Sequence, residues 1–525
     1  MLDFDRLTTP RNDGDVLIEP CLARWQHLLE DTESRRATGE ILLAGRRVAD
    51  LRPLIRDQLV KLASRESAAE GCVPGPSLPT KPLILTGHQP AFIHPGVWAK
   101  QVAVRLAVAE HGGAALDLIV DNDSPQSAAI EVPHVGRDGL VTLRDITWSL
   151  APAGSAYEGR PALPAGEIEV IRQNLATLMG ERWAASMMPD YLAGFGEARN
   201  TDFVGQHMAG RARVDRALGA DLPQVRVSEA FGGPFLADLL LYAGRFATAY
   251  NRSLADYRHR YDVRSPDRPL PDLRTDGTWT ETALWIYQPL QVRRRLWVCR
   301  HGDSLLLRAD QNNAGSIAVA DLQADTDAAL RCLAPWRIRP RALTLTLWAR
   351  LLACDLFVHG IGGAKYDRIT DDLFRHYYHC PPPPYTCVSA TLRLPLPRQP
   401  VTPEHLAAAV RRMRDVRFNP DRYLSAPDPR LLAERRRLIA ESQRLRTERV
   451  SRPRRHEVFL GIHKLNAELV NLQPNIEGQL GADADLLARQ LASNRLATSR
   501  EFFYALHERD RLAALQKGVR NLFAE

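Results

Sequence analysis

Two short polar segments of the chain carry side chains suited to binding anions or moving protons. The first runs from Gly87 to Gly96 and contains His88, Gln89 and His94. A histidine near neutral pH can donate to a phosphate or act as a general acid, and a glutamine amide can donate or accept a hydrogen bond. The alternative interpretation is an ordinary strand-to-helix turn with two solvated histidines.

The second segment is Asp121-Asn122-Asp123, which places two carboxylates and an amide side by side. Such a cluster could bind Mg²⁺, accept hydrogen bonds from an amine or hold a ribose. The same residues, followed by Ser124 and Pro125, also suit an Asx turn or a helix cap. The residues alone leave both interpretations open.

The surrounding pattern places both polar segments at one edge of a parallel sheet. Residues 82–86 predict a buried strand, residues 97–111 show helical apolar spacing, and residues 116–120 predict a second buried strand. Gly112-Gly113 marks the end of the helix. Strand, loop, helix and strand form a βαβ unit, whose ligands bind beyond the carboxyl ends of the strands. We therefore predict that both polar segments face one active site.

A third segment, Gly360–Lys365, resembles a phosphate-binding loop. It follows an apolar strand predicted over residues 355–359 and precedes a helix predicted over residues 367–378. It is not a P-loop, because that motif requires four residues between its first glycine and its Gly-Lys pair. We expect two glycines and the lysine to line the site opposite the first loop: Gly362, Gly363 and Lys365.

The bulk composition is that of an ordinary globular protein. The chain has 525 residues, of which 45% are hydrophobic and 25% are charged. No apolar run follows the polar N-terminus and no stretch reaches the length of a membrane span, so we expect neither a secretory signal nor a membrane partner. Seven cysteines without a CxxC pair favour reduced thiols in the cytoplasm. The net charge of +7 suits anionic substrates, although solubility alone would also explain it.

The sequence divides into three regions. Residues 1–80 predict a helical lead, and residues 81–402 predict an α/β core. Two insertions interrupt this core, at about 132–200 and about 265–310, and the second has the pattern of a small antiparallel β-meander. Residues 403–525 are rich in arginine and predict a helical coiled-coil domain.

The C-terminal region carries a helical apolar seam. Leu431, Leu438 and Leu445 are spaced by seven residues, and a break is expected over residues 474–481. Acidic residues alternate with the arginines at helical spacing, which favours a solvated helix face over a nucleic-acid surface. We expect a homodimer through this coiled coil and no nucleic-acid partner. An intramolecular hairpin is the alternative.

One cluster of metal-ligating residue types occurs near the end of the core. Its members are His376, His379, Cys380 and Cys387. Four prolines lie between the two cysteines, and the spacing matches no standard zinc finger. We therefore predict ordinary core and surface residues here and no metal site.

The order of these motifs resembles that of bacillithiol synthase, the cysteine-adding enzyme of bacillithiol biosynthesis. That family has a Thr-Gly-Gln-Gln-x-Gly-type loop after its first strand and an acidic cluster with histidine after its second. Thr86-Gly87-His88-Gln89-Pro90 and Asp121-Asn122-Asp123 stand in those places. Arg339-Pro340, residues 358–365 and Ser389-Ala390-Thr391-Leu392 match later family motifs in order. The resemblance spans nearly the whole chain through an ordered set of short motifs.

The departures from the family pattern fall within the predicted site. His88 replaces the first glutamine, and Pro90-Ala91 replaces the glycine. The acidic cluster lacks its histidine, and Gly362-Gly363-Ala364 stands where the family has Gly-Gly-Pro. The fold therefore transfers more directly than the substrate does.

The resemblance implies a Rossmann-like core of the nucleotidyltransferase class, with inserted segments and a dimerising C-terminal coiled coil. It implies a ligase that joins cysteine, or another amino acid, to an amine of a small sugar-derived acceptor, with ATP or ADP as the nucleotide. We assign catalytic roles to His88, Gln89, Asp121 and Asp123. We assign cofactor binding to Gly87, His94, Gly96, Gly362, Gly363 and Lys365. The alternative is a non-catalytic nucleotide- or thiol-binding relative that acts through its coiled coil, which the missing histidine favours.

Overall fold

The chain forms two compact units in the computed structural model. The model describes residues 4–69, 82–125, 129–148, 152–198, 201–265, 268–473 and 475–524. The first unit contains Met1–Val132, Arg144–Leu394 and Arg500–Glu525, and the second contains Pro133–Leu143 and Pro395–Ser499. The expected boundary between a helical lead and the core, at residue 80, lies outside the described residues.

Sixteen strands occur in the described part of the chain. The first eight are β1 (Val16–Glu19), β2 (Leu42–Leu43), β3 (Arg46–Arg47), β4 (Leu83–His88), β5 (Ala114–Ile119), β6 (Ala129–Val135), β7 (Val141–Thr147) and β8 (Gln224–Arg226). The others are β9 (Thr275–Asp276), β10 (Trp279–Tyr287), β11 (Arg294–His301), β12 (Ser304–Ala309), β13 (Asn312–Ala318), β14 (Arg337–Pro340), β15 (Leu356–His359) and β16 (Tyr385–Ala390).

The α-helices of the described residues are numbered in the same way. The first ten are α1 (Trp25–Leu29), α2 (Thr32–Gly39), α3 (Val48–Ala69), α4 (Pro95–His111), α5 (Ala165–Met179), α6 (Arg182–Ala185), α7 (Met188–Glu197), α8 (Phe203–Ala217), α9 (Val227–Ala230) and α10 (Gly233–Leu241). The others are α11 (Ala243–Arg260), α12 (Val319–Ala324), α13 (Thr326–Leu330), α14 (Ala342–Trp348), α15 (Ile361–Tyr377), α16 (Pro403–Asp415), α17 (Pro429–Thr447), α18 (Arg452–Asn471), α19 (Asn475–Ala497) and α20 (Arg509–Ala524). Within this described set, no helix has both the length and the apolar character that crossing a bilayer requires.

The first unit is built on a six-stranded sheet in the order β1-β16-β15-β4-β5-β8. Strands β16, β15, β4, β5 and β8 run parallel, and only β1 pairs in the antiparallel sense. The strands at its centre are almost wholly buried, as expected of parallel strands covered on both faces. The prediction of an α/β core with a parallel sheet is confirmed.

The predicted βαβ unit is present as β4, α4 and β5. Strand β4 extends two residues beyond the predicted strand, so that His88 is its last residue. Helix α4 begins with Pro95 in its first turn, where the missing N–H of proline costs nothing. The polar residues after β4 and β5 therefore lie at the same edge of the sheet, as predicted.

A second sheet contains the expected meander and extends it. Its strand order is β13-β12-β11-β10-β14, and β9 pairs with β10. Strand β14 pairs antiparallel with β10, so that Arg339 stands opposite Trp285 and Arg337 stands opposite Tyr287. This pairing brings the Arg-Pro motif of the sequence beside the meander.

The prediction of a loop over Gly360–Lys365 is wrong, because most of this segment is helical. Gly360 is the extended N-cap residue of α15, and the helix begins at Ile361. A side chain at Gly363 would place its Cβ 2.7 Å from Nδ1 of His359. The glycine therefore allows α15 to pack closely on the end of β15, rather than forming an open phosphate cradle.

The N-terminal region is not purely helical. Strand β1 forms the edge of the central sheet, paired with β16. Strands β2 and β3 form a short hairpin that precedes α3. The expectation of a helical lead therefore applies to α1, α2 and α3 only.

The second unit consists of α16, α17, α18 and α19 with the tip of the β6–β7 hairpin. Helices α17 and α18 pack on one another as an intramolecular hairpin, in which Nε of Arg435 donates to Oδ1 of Asn466 at 2.6 Å. The break expected over residues 474–481 is wrong for residues 475–481, which begin α19. Residue 474 itself lies outside the described residues.

The last part of the chain, from residue 500, belongs to the first unit. The second unit therefore ends at residue 499, whereas the predicted C-terminal domain covers residues 403–525. The ring of Tyr504 stacks on Trp98, with 5.8 Å between ring centroids. The Tyr504 hydroxyl also donates to Oδ1 of Asp215 at 3.0 Å. These buried contacts attach residues 500–524 to helices of the core.

The entry to β5 offers a test of this packing. Gly113 has a φ of +103°, and a Cβ there would lie 2.5 Å from the carbonyl oxygen of Pro82. We expect Gly113→Ala to lower the free energy of unfolding by about 3 kcal/mol, because backbone strain and a backbone clash add. Gly219→Ala is the control, since its φ is +66° but no atom lies within 4 Å of its Cβ. It should cost only about 1 kcal/mol in urea denaturation. Equal losses would contradict the packing described.

Candidate functional site

A cavity of about 690 Å³ opens at the carboxyl ends of β4 and β5. The loop after β4, the segment after β5, helix α8 and the residue before β11 contribute to its walls. Four of the predicted site residues line it: His88, Gln89, His94 and Asp123. Its volume is in the range of pockets that bind small molecules.

The Asp123 carboxylate is held from two sides. Nε2 of Gln89 donates to Oδ2 of Asp123 at 2.8 Å, and Nη1 of Arg293 lies 2.7 Å from Oδ1. The other end of the guanidinium donates to Oγ of Ser124 at 2.9 Å, and the group lies 5.1 Å from the ring centre of Trp285. The sequence predicted Gln89 and Asp123 but not Arg293. Both carboxylate oxygens therefore face fixed partners at the wall of the cavity.

The His88 ring is half-buried and neutral. Its Nδ1 lies 3.3 Å from the carbonyl oxygen of Gln89, which can only accept, so Nδ1 carries the proton. Burial, with a smaller contribution from the charge of Lys100, lowers the pKa of His88 to about 3. Its Nε2 is then an acceptor at neutral pH. This arrangement suits a contact with an N–H group better than the predicted contact with an anion.

A buried network of charged and polar side chains contacts the start of the loop after β4. Nζ of Lys100 donates to the carbonyl oxygen of Gly87 at 2.7 Å, and burial lowers the pKa of this lysine to about 8. Oδ2 of Asp117 accepts from Gln101 and from Arg211, both at 2.7 Å. Because these groups are almost fully buried and compensate one another, they fix the position of the loop backbone.

His94 is occupied by structural contacts. Its Nδ1 accepts from the backbone N–H of Gly96 at 3.1 Å, which caps α4. Its Nε2 lies 3.2 Å from Oε2 of Glu501, and burial lowers the pKa of His94 to about 4. A Cβ at Gly96 would lie 2.5 Å from the carbonyl oxygen of Ala390. His94 thus lines the cavity, but both of its nitrogens and the Gly96 N–H already have partners.

The loop backbone is compact rather than open. A Cβ at Gly87 would lie 2.9 Å from the carbonyl oxygen of Leu118 on the neighbouring strand. The N–H of Ala91 donates to the carbonyl of Gln89 at 2.8 Å, and the N–H of Ile93 donates to that of Ala91 at 2.9 Å. These amides are therefore not available to cradle an anion.

Asp121 and Asn122 are not among the described residues that line this cavity. Asp121 is fully buried and accepts from the backbone N–H of Ser228 at 2.9 Å and from the Ser228 hydroxyl. Burial, together with the nearby charge of Glu158, raises the pKa of Asp121 to about 7. Nδ2 of Asn122 donates to the carbonyl oxygen of Pro340 at 2.9 Å. The structure thus separates Asp121 from Asp123, although the sequence places them two residues apart.

Glu158 is a charged residue that the sequence did not indicate. Arg339 donates to it in bidentate fashion, with both distances 3.0 Å, and Nη1 of Arg337 lies 3.3 Å from Oε2. The Tyr287 hydroxyl also donates to it. Its neighbour Tyr157 lines the cavity. The Arg-Pro motif therefore holds the segment behind the cavity wall.

One side of the cavity is aromatic. Phe92, Phe203 and His207 line it, and the ring centroids of Phe203 and His207 are 4.7 Å apart. Nδ1 of His207 and the hydroxyl oxygen of Tyr191 are 2.6 Å apart. Burial lowers the pKa of His207 to about 3, so this ring is neutral. No local sequence signal marks these residues, because distant segments bring them together.

The third predicted segment does not join this cavity. Gly362, Gly363 and Lys365 are not among the described residues that line it. They lie at the start of α15, after the strand that neighbours β4. Nζ of Lys365 lies 5.6 Å from the ring centre of Phe4. The two glycine-containing segments share an edge of the sheet but not this cavity.

Comparison with known proteins identifies no relative of this chain among protein-family models or curated proteins. In the described part of the chain, no group of three or more His, Cys, Asp and Glu side chains is arranged to hold a metal ion. The features of the described residues that bear on function are the cavity and the groups that hold Asp123.

The buried carboxyl of Asp121 makes a prediction about pH. Its pKa in the folded protein, about 7, lies above its ordinary value of 3.8, so its protonated form stabilises the fold and this contribution is lost as the pH rises through 7. Asp121→Asn cannot ionise. The free energy of unfolding of the wild type, minus that of the variant, should fall by roughly 3–4 kcal/mol between pH 4 and pH 7.5.

Denaturant titrations at constant ionic strength measure this difference. Asp485→Asn is the control, because Asp485 is exposed on α19. Its difference from the wild type should stay constant over the same range. A constant difference for Asp121→Asn would contradict the burial described for that carboxyl.

Proposed function

We propose that this chain is a carbon–nitrogen ligase that joins cysteine, or another amino acid, to an amine of a small sugar-derived acceptor, in the manner of bacillithiol synthase. One observation carries the proposal. The Asp123 carboxylate is fixed by Gln89 and Arg293 in a cavity at the carboxyl edge of a parallel sheet. A Rossmann-like core of the nucleotidyltransferase class would place a substrate at this edge.

The chemistry requires a proton acceptor near the attacking amine. The amine nitrogen forms a bond to the carbonyl carbon of the activated carboxylate, the bond from that carbon to the activating group breaks, and the nitrogen loses a proton. Asp123 supplies carboxylate oxygens at the cavity wall, and His88 supplies a neutral Nε2. Both can accept an N–H of the amine, so they orient it for attack.

The positive charge in the cavity comes from side chains. Arg293 and Arg160 both line it. The N–H groups of Ala91 and Ile93 already have partners. Arg160 is buried and donates to Ser155 and Ala156. Arg293, which also contacts Asp123, is therefore the group that would face a carboxylate or the phosphates of ATP or ADP. The choice of ATP or ADP comes from the resemblance to bacillithiol synthase. Formation of an amide requires an activated carboxylate whichever group activates it.

A second candidate function has its own support. Asp121, one of the four residues assigned to catalysis, is buried against Ser228 and does not line the cavity, which leaves fewer groups for catalysis than the sequence predicts. A relative that binds a nucleotide or thiol without turnover would need only the cavity. Thiol analysis and ligand binding together separate the two functions.

The ligase proposal predicts the effect of Asp123→Asn in cells. Cells with the wild-type gene should contain a low-molecular-weight thiol that is absent from cells without it. Asp123→Asn should lower the amount of this thiol by about 100-fold, the loss typical for removing one preorganised polar group from an active site. Mass spectrometry of labelled thiols measures it, and Asp485→Asn is the matched control on an exposed helix.

Two outcomes would count against the ligase. Equal thiol content in all strains would contradict it. Purified wild type whose melting temperature shifts with cysteine, ATP or ADP, in the absence of any thiol difference, would favour the non-catalytic relative. A protein that none of these ligands stabilises would contradict both candidates.

We also propose that the protein forms a homodimer in which the α17–α18 hairpin takes part in a coiled coil. Three large apolar side chains on or just after α18 are exposed: Phe459 by 49%, Leu460 by 53% and Leu472 by 58%. The intramolecular hairpin therefore leaves these side chains in contact with water, and a second copy would cover Phe459 and Leu460, which are adjacent on α18.

Light scattering on the intact chain tests the dimer. The wild type should have twice the mass of one 58.7 kDa chain, and Leu460→Glu should yield monomers because it places a charge in the interface. Leu42→Glu changes a leucine of similar exposure, 57%, in the first unit and should remain dimeric. A monomeric wild type would contradict the proposal.

A further inference from the structure

A second cavity, of about 470 Å³, lies in the first unit and has no part in the proposed reaction. Helix α3, the segment from Ser228 to Leu236, helix α13 and the chain leading into β14 contribute to its walls. Ser228 binds Asp121, and Asp121 lines neither cavity. The acidic segment at the end of β5 therefore lies between the two cavities.

Two arginines of β14 form the basic side of this second cavity. Arg337 and Arg339 both line it and are two residues apart on one strand, so their side chains leave the same face. Both contact a single carboxylate, that of Glu158. The Glu158 carboxylate compensates one of these two guanidinium charges, and Asp121, the other acid near Arg339, compensates the second only in its ionised form.

Two further arginines add to this charge. Arg46 and Arg331 line the cavity and are exposed, and neither forms an ion pair with another residue in the described part of the chain. The two acidic residues of the lining have partners of their own: Glu229 pairs with Arg65, and Asp327 accepts from the N–H of Gly233 at 3.2 Å. Asp327 keeps its negative charge, because a backbone N–H does not neutralise a carboxylate, but the four arginines of the lining outnumber it.

The rest of the lining is largely apolar. Leu51, Ile55, Phe231 and Trp336 contribute to it, and Leu54 contributes although it is 58% exposed. Apolar side chains beside unpaired arginines suit a ligand that joins an anionic group to an apolar ring. The volume is sufficient for a small organic molecule of this kind.

We propose that this second cavity binds a small organic anion, in which a phosphate or carboxylate contacts the arginines and an apolar ring contacts Phe231 and Trp336. Guanidinium groups match both anions in bidentate geometry. The ring adds affinity because its apolar surface leaves water. This site is independent of the proposed ligase reaction, since none of its lining residues lines the first cavity.

Calorimetric titration of the intact wild-type protein tests the proposal with three probes: phenyl phosphate, benzoate and inorganic phosphate. We expect at least one of the two ring-bearing anions to bind with a dissociation constant below about 1 mM, and more tightly than inorganic phosphate does. Added salt should weaken the binding. Tighter binding of phenyl phosphate would identify a phosphate ligand, and tighter binding of benzoate a carboxylate ligand.

Paired variants assign the binding to this cavity. Arg46→Gln combined with Arg331→Gln should weaken it at least tenfold, whereas Arg36→Gln combined with Arg294→Gln removes the same charge from exposed positions elsewhere and should not. Asp123→Asn, in the first cavity, should also leave it unchanged.

Three results would overturn the proposal. The first is that neither ring-bearing anion binds at 10 mM, about ten times the expected dissociation constant. The second is equal binding by both double variants. The third is loss of binding in Asp123→Asn. The last result would move the ligand to the first cavity without contradicting the ligase.

Discussion

The end of strand β5 must bury two polar side chains and present a third to a cavity. Asp121 accepts a hydrogen bond from Ser228, and Asn122 donates one to the carbonyl of Pro340. Asp123 accepts from Gln89 and forms an ion pair with Arg293. Each partner comes from a different part of the first unit. A buried polar group without its partner costs about 1–3 kcal/mol, and more if it is charged. The position of Asp123 therefore depends on several distant segments folding together.

Charge balance explains why this arrangement can be buried. Glu158 accepts from Arg339 and Tyr287 beside Asp121, whose pKa is raised to about 7 by burial and, to a lesser extent, by the charge of Glu158. Below the first loop, Lys100 and Arg211 lie close to Asp117. Compensation of this kind is sensitive to the loss of either partner. The wall between the two cavities therefore depends on the ion pairs that Glu158 forms with Arg337 and Arg339.

The sequence predicts the elements around the site better than it predicts the site. Apolar spacing was sufficient to identify β4, α4 and β5, and with them the positions of Gln89 and Asp123. Arg293 and Glu158 could not be predicted, because only the folded chain brings them to this edge. The Gly360–Lys365 segment was misread as a loop, since glycines also occur where a helix packs closely on a strand. The turn after β5 separates Asp121 from Asp123, because it directs Asp121 to Ser228 and Asp123 to Gln89 and Arg293.

The proposed function makes the cavity around Asp123 the substrate site. A crystal structure of the protein grown with cysteine, ATP and an amino-sugar such as glucosamine tests it most directly. We expect a ligand whose nitrogen lies within about 3.2 Å of an Asp123 oxygen, with an anionic group on Arg293. Clear density for these ligands elsewhere in the protein, with the Asp123 cavity holding none of them, would contradict it.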